Sequence, residues 1–599
     1  MKKIVYSVLA IAALFMGVSC EKNLDIPQKG VTDIADFYKT DEDALAALQA
    51  AYARFATRIT GQDGSSIYTD LKAALNNCGD DMYAAGSNFG DNDFMAQLDE
   101  FRLDSGNQVV DHFYKNLFQV NYACNLVIDN FKDGLPEGGP TATTKRVVAE
   151  ARVMRAYVYF LLTALWNTPP MIDHVIGTEV QPFNADKDPE NPMSHEDLFR
   201  WVASECESAA ADLNERKSPQ DKDGAVVVTK GFAWALQGKA LLFVKDYAGA
   251  KAALKKVIDS GKYALVPGDR YWELFHQEGD CNEEKVFETN IEQNSGLSAW
   301  GGIIQRSTWM EANIWNWRSD HFVAGASPQA KYTGGVDGWG GLGVPQWFGD
   351  EFFANDGHSP RFDATLKHVD DAIYGMEYGD NVKDGEKLVN DMTLEEKKAS
   401  KAIGIADVKD GLYGQSFWLP FKQLLRKTDA DRYGSNVRMN NGVIMRYAEV
   451  LLLYAEACLQ SGDNGQGAWA VNQIRQRAGL APLANVTMND LKKEKSYELW
   501  LEGSRWLDLV RWGDTDRVKN AGQNVPKLFD KLFREPKSGE TIVWENGSEA
   551  NSRFYTVASH EAIDAGYKVG FVAGKHEFFP YPTAQMDKNP NLVQNPGWE

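Results

Sequence analysis

RYAEVLLLYAEACLQSGD, residues 446–463, is the stretch from which the fold can be read. Tyr447, Val450, Leu451, Tyr454, Ala455 and Cys458 recur at the spacing of one apolar stripe on an α-helix. Gly462 follows as a residue free to take positive φ and end it. A second helix is predicted with Ala468, Val471, Ile474 and Ala478 on one face, closed by Gly479. A third starts at Thr487, where Asp490 completes a capping box. It should run through KKEKSYELWLEGSRWLDLVRWG (492–513) and stop at Gly513. Three helices joined by short turns pack as neighbours. On such a continuous helix Glu498, Glu502, Arg505, Asp508 and Arg511 fall at i+3 and i+4 steps. They therefore read as ion pairs along one helix face, not as a catalytic set.

The same rhythm extends upstream. Residues 41–58, 109–131, 150–166 and 195–213 each carry a helical pattern, and EARVMRAYVYFLLTALW (150–166) is apolar almost all round, hence buried. Within 230–261, counting one unit from Gly231, Trp234, Gly238, Tyr247 and Ala250 occupy the packing positions of a tetratricopeptide unit. One such unit cannot bury its own face, so stacked neighbours are required, with 41–131, 150–213 and 447–478 as candidates. From 271 to 433 the rhythm fades into Gly, Asn, Asp and aromatics, with KVFETNIE (285–292) as a short strand. The fold class expected is mainly α. A tetratricopeptide-like helical-hairpin scaffold carries a loop-rich, aromatic-rich insert and minor β structure.

The chain has 599 residues, 44% of them hydrophobic, which is ample for a large core. A net charge of -21 argues against nucleic acid, whose phosphates reward basic patches. Lys2 and Lys3 precede an apolar run from Ile4 to Val18, too short for a membrane span and suited to a signal peptide. Ser19 and Cys20 follow. They resemble a lipobox, although Gly17 stands where a Leu-like residue is usual. Acyl chains on Cys20 would hold the protein on a bilayer. The other five cysteines are scattered with no CxxC, so neither a disulfide framework nor a zinc site is indicated.

RYAEVLLLYAEACLQ (446–460), VNQIRQRAGL (471–480) and YELWLEGSRWLDLVRWG (497–513) together resemble the C-terminal signature of the SusD/RagB family. EARVMRAYVYF (150–160) and the closing Gln594-Asn595-Pro596-Gly597 agree with it. The resemblance implies a non-catalytic outer-membrane lipoprotein facing the cell exterior. It would bind nutrient glycans and pass them to a SusC-like TonB-dependent transporter. The organisation expected is a signal peptide (1–19), a lipid-anchored tether (20–40), an N-terminal helical part (41–292) and a C-terminal part (293–599) forming one compact unit with it.

Six of the seventeen tryptophans lie between 300 and 347: Trp300, Trp309, Trp315, Trp317, Trp339 and Trp347. An indole offers a flat apolar face to the C–H face of a sugar ring, and Arg318 beside them supplies donors for hydroxyls. The alternative is that these rings form the mini-core of a loop-rich subdomain. A second candidate is the polar loop with Asp81, Tyr83 and Asn88, which in the family commonly faces the ligand. Cofactors are not indicated. The D-x-D pairs Asp186/Asp188, Asp221/Asp223 and Asp429/Asp431 lack the further ligands of an EF-hand, leaving at most a structural Ca²⁺. Gly238-Lys239-Ala240 is no phosphate loop, and GQSFW (414–418) lacks the second Gly of a nucleophile elbow. A peptide-binding member of the same family and a surface glycosidase are the competing readings.

Overall fold

The computed structural model describes residues 37–60, 71–290, 314–317, 338–369, 412–433, 438–530, 542–543, 554–559 and 568–599. The signal peptide, Cys20 and most of the tether, along with Trp300, Trp309 and Arg318, lie outside the described residues.

The scaffold is a stack of antiparallel helices: α1 (Asp41–Ile59), α2 (Gln108–Phe131), α3 (Ala142–Trp166), α4 (His195–Ala209), α5 (Lys230–Phe243) and α6 (Tyr247–Asp259). Each packs on the next. Side-chain caps start them. Thr40 and Asp43 form a capping box on α1, Thr141 and Thr144 on α3, and Ser194 and Asp197 on α4. α3 is the central rod. From Val153 to Trp166 every residue is buried, matching its all-round apolar sequence. The α5–α6 hairpin bears out the tetratricopeptide-like spacing. A Cβ on Gly238 would stand 2.5 Å from Leu254 Cγ, so only glycine lets the two helices approach this closely.

The chain then leaves the stack along β2 (Lys285–Thr289) and returns along β7 (Gly442–Arg446), which pair antiparallel. Because exit and return are adjacent, α8 (Tyr447–Gln460) packs directly on α6, and α9 (Asn464–Arg477) packs on α8. The irregular stretch between β2 and β7 is thus an excursion from one continuous helical array. Among the described residues it contains α7 (Gln346–Asp356) and four short strands, β3 (Leu342–Gly343), β4 (Leu366–His368), β5 (Leu412–Tyr413) and β6 (Trp418–Pro420). The C-terminus closes on the end of α3. Trp166 Nε1 donates to Pro580 O at 3.0 Å and Tyr581 Oη donates to Trp166 O at 2.9 Å. No helix among the described residues is long and apolar enough to cross a membrane.

One expectation fails. The third helix of the signature is two helices, α10 (Met488–Glu498) and α11 (Arg505–Trp512). The break has a backbone cause. Leu501 and Gly503 adopt φ of 60° and 77°, outside helical space, and Gly503 lies where a Cβ would come 3.0 Å from Lys72 Cα. Of the acidic and basic residues, Asp508 and Arg511 do pair at the i+3 step on α11, largely buried, while the others are not paired along one helix face. They enter a buried network that ties the scaffold to the insert. Arg446 donates to Glu284 (2.7 Å), Glu498 (2.5 Å) and Glu502 (2.7 Å). Arg361, from the insert, donates to Asp356 and Glu494, at 2.9 and 2.6 Å. Lys422 donates to Glu502 at 2.7 Å. Arg505 instead reaches Asp80, and Arg511 pairs with Glu456 and Asp508. Their structural role stands; its geometry is different.

Candidate functional site

Two stretches far apart in sequence, 79–92 and 338–347, meet in the structure. β1 (Tyr83–Ala84) pairs antiparallel with β3, placing Tyr83 opposite Gly343 and Ala84 opposite Leu342. Ala85 N donates to Gly341 O at 3.0 Å, and Gly86 N to Tyr413 O at 3.1 Å. The segment 314–317 is stitched to the same edge, with Gly340 N donating to Asn316 O at 2.8 Å and Gly338 N to Trp317 O at 3.0 Å.

The tryptophans of this region divide by burial. Trp315 and Trp317 are only 2% and 3% exposed. Trp315 packs with Met82, Phe348, Trp418 and Trp500 in an aromatic mini-core beneath the loops. These two rings are interior, so as placed here they offer no face to a ligand. Trp339 and Trp347 are half-buried at the edge of that mini-core.

Trp347 stands between two clefts. One, of roughly 270 Å³, is lined by Tyr83, Asp80, Asp99, Asn520, Gln523 and Trp347 itself, among others. The other, of roughly 440 Å³, is lined by Trp347 with Lys492, Lys493, Ser496, Tyr497 and Asp516, among others. Arg517 borders both clefts, with its guanidinium 4.9 Å from the centre of the Trp347 ring. Arg517 is pinned by Asp80, which Arg505 also grips in a two-pronged contact at 2.6 and 2.9 Å. Burial alone would raise the Asp80 carboxyl, but the two guanidiniums outweigh it and hold it below its usual range. Asp81, behind it, is fully interior. Burial pushes its carboxyl up to about 7, against the pull of Arg505, and neighbouring Asp80 adds to the rise. Asp81 therefore supports the floor and does not face the cleft. Tyr83 is half-buried on the cleft wall, its phenol raised by burial and by the nearby Asp99 and Asp80 carboxylates. Asn88 is exposed on the adjoining loop, where its Nδ2 donates to Ser87 Oγ at 3.2 Å.

Of the residues selected in the sequence, Tyr83 and Trp347 thus share one cleft, Asn88 and Trp339 lie on neighbouring loops, and Asp81 lies beneath. Arg517 and the 520–523 turn were not foreseen. They sit more than four hundred residues from Asp80, and nothing local marks them.

An all-helical hairpin stack interrupted by an aromatic-rich insert defines a class of fold, and known proteins share it. Residues 307–598 match the SusD family model. A SusD-like protein of Bacteroides ovatus is 22% identical, with 98% of this chain and 97% of that protein covered. The starch-binding protein SusD of Bacteroides thetaiotaomicron is 24% identical over 78% of this chain and 76% of its own. Among solved structures, a laminarin-binding SusD-like protein superposes with a TM-score of 0.67 at 20% identity, covering 94% of this chain and all of the other. The C-terminal part of the chain thus matches the SusD family, and the chain as a whole is similar to SusD-like proteins.

Proposed function

We propose that the protein captures glycans at the cell surface without altering them and hands them to a SusC-like TonB-dependent transporter. A lipid on Cys20 would hold it on the outer membrane. The observation that carries the reading is the Trp347 cleft pair. A half-exposed indole between two concavities, with Tyr83 on the wall and Asn520, Gln523 and Asp80 at hydrogen-bonding positions, matches what a sugar chain requires. Apolar ring faces stack on aromatic faces, and hydroxyls bond to amides and carboxylates. The names of two relatives, one starch-binding and one laminarin-binding, favour glucans as the first ligands to try. Anchoring supports the hand-over, because confinement to one membrane raises the effective concentration of ligand-loaded protein beside the transporter.

Isothermal titration against laminarin and starch oligosaccharides tests this, together with a reducing-end assay on the same mixtures. Binding without release of new reducing ends is expected. Binding of acidic or neutral peptides with no glycan bound would overturn the ligand class, and turnover would overturn the non-catalytic reading. Co-purification with a transporter from membranes tests the partner.

A further inference from the structure

Arg517 is only partly engaged by its neighbours. Its Nε donates to Asp80 Oδ2, and its side chain is 46% exposed. Among the described residues its two Nη groups have no hydrogen-bond partner. Asp80 is matched first to Arg505, whose Nε and Nη2 meet its two carboxylate oxygens at 2.6 and 2.9 Å. Both of those side chains are largely interior. One carboxylate thus stands between two guanidiniums, and the surplus positive charge rests on the exposed one. A guanidinium with its terminal nitrogens free offers parallel donors, the geometry that grips both oxygens of a carboxylate.

The smaller of the two Trp347 clefts gathers further donors around that fork. Among the described residues Arg517 is the only cation in its lining. Asn520 and Gln523 border it, both exposed, and their side-chain amides have no hydrogen-bond partner among the described residues. The turn that carries them is fixed. Gln523 N donates to Asn520 O at 3.0 Å, Gly522 has φ of 77°, and a Cβ on Gly522 would stand 2.9 Å from Glu100 Cβ.

Two carboxylates line the same cleft, Asp80 and Asp99. Asp80 is held by Arg505. Asp99 is buried and accepts from Ala84 N at 2.9 Å, and burial, with the neighbouring Glu100, pushes its carboxyl well above its usual range. Neither fully cancels the charge of Arg517. The larger cleft differs. There the exposed Lys493 stands against two exposed carboxylates, Glu351 and Asp516, and none of the three has an ion-pair partner among the described residues. No surplus positive charge is left in it for an anionic ligand.

We infer that the smaller cleft reads a carboxylate on the glycan, that of a uronic acid residue, and that Arg517 is the residue that determines this specificity. The inference rests on the reading of the Trp347 clefts as a glycan site. Arg517 grips the carboxylate through its Nη groups, and Asn520 and Gln523 bond the hydroxyls beside it. Trp347, whose ring centre lies 4.9 Å from the guanidinium, takes the apolar face of the sugar. Arg505 is a positioning residue, since it holds the Asp80 that holds Arg517. A neutral glucan, with a hydroxyl at C6 where glucuronic acid has a carboxylate, enters the same cleft without that contact.

A matched pair of ligands isolates the carboxylate: a laminarin oligosaccharide, and the same oligosaccharide oxidised at C6 to glucuronic acid. In isothermal titration of the full chain at low salt, the oxidised form should bind at least about tenfold more tightly, as a hydrogen bond between charged groups contributes. Added salt should shrink that advantage. Arg517→Gln should bring the ratio of the two affinities to about one. Arg517→Lys, which keeps the charge and loses the fork, should leave an intermediate ratio. A cooperative thermal transition checks that each variant folds, and the salt series on the unaltered chain needs no variant. Equal affinity for the two ligands would overturn the inference and leave the glycan reading standing, whereas binding of neither would overturn both. An advantage that survives Arg517→Gln would overturn the assignment to Arg517. A sulfated laminarin oligosaccharide that binds as tightly as the oxidised one would overturn the carboxylate reading in favour of attraction to charge alone.

Discussion

Replacing Arg446 by Met isolates the role of the buried ion network. Arg446 is 1% exposed and donates to three carboxylates, Glu284, Glu498 and Glu502, as well as to Glu498 O at 2.6 Å. Methionine fills much of the same volume but supplies no charge and no donor. The carboxylates are not all orphaned. Glu284 and Glu498 keep Arg477, Glu498 also keeps Arg361, and Glu502 keeps Lys422. The loss is therefore that of one partner of a buried network, about 3–5 kcal/mol, or roughly two to three and a half decades in the folding constant. Equilibrium urea unfolding followed by tryptophan fluorescence reads it directly. The pH dependence gives a second test. Burial alone would raise the Glu502 carboxyl, but Arg446 and Lys422 hold it down at about 2. A depressed carboxylate stabilises the fold above its unfolded pKa, about 4.3. That contribution is lost as pH falls from there through about 2. Without Arg446 the folded pKa of Glu502 rises, so the variant should unfold at higher pH than the parent. A loss below about 1 kcal/mol, within the ordinary range for an exposed pair, would refute the view that this network holds scaffold and insert together.

Trp347→Ala should weaken glycan binding about tenfold to a hundredfold, corresponding to the roughly 1.5–3 kcal/mol of a lost aromatic contact face, in isothermal titration. Its melting temperature should move by only a few degrees, because the ring is half-buried. Gly503→Ala should destabilise by about 1–3 kcal/mol in urea, since it forces a Cβ into a left-handed backbone beside Lys72; a neutral result would mean the break between α10 and α11 is not sterically fixed. Thr487→Ala removes the capping box of α10 and should cost about 1 kcal/mol, readable as a shift of the urea midpoint.

Much of the scaffold was legible in the chain itself. Apolar spacing marks α8 and α9, the uninterrupted apolar run marks α3 as the buried rod, and Gly238 marks the close α5–α6 crossing. Local periodicity suffices there, because a helix buries a face determined by its own nearest neighbours in sequence. The division of α10 from α11 was not legible. The 492–513 segment keeps helical spacing, and the break comes from Gly503 lying against Lys72, a residue of a distant segment. The tryptophan cluster shows the same boundary. Composition draws attention to it, but Trp315 and Trp347 look alike in sequence, and packing against Met82, Trp418 and Trp500 decides which ring is core.

What the sequence determined alone is a stack of amphipathic helices interrupted by an aromatic-rich excursion, since both follow from short-range spacing and composition. Only the tertiary structure decided where that excursion leaves and returns, through the β2–β7 pair. It also decided which carboxylates meet which cations, and which aromatic residues reach a cleft. Those outcomes depend on contacts between residues hundreds of positions apart, such as Asp80 with Arg517, and no local pattern encodes them.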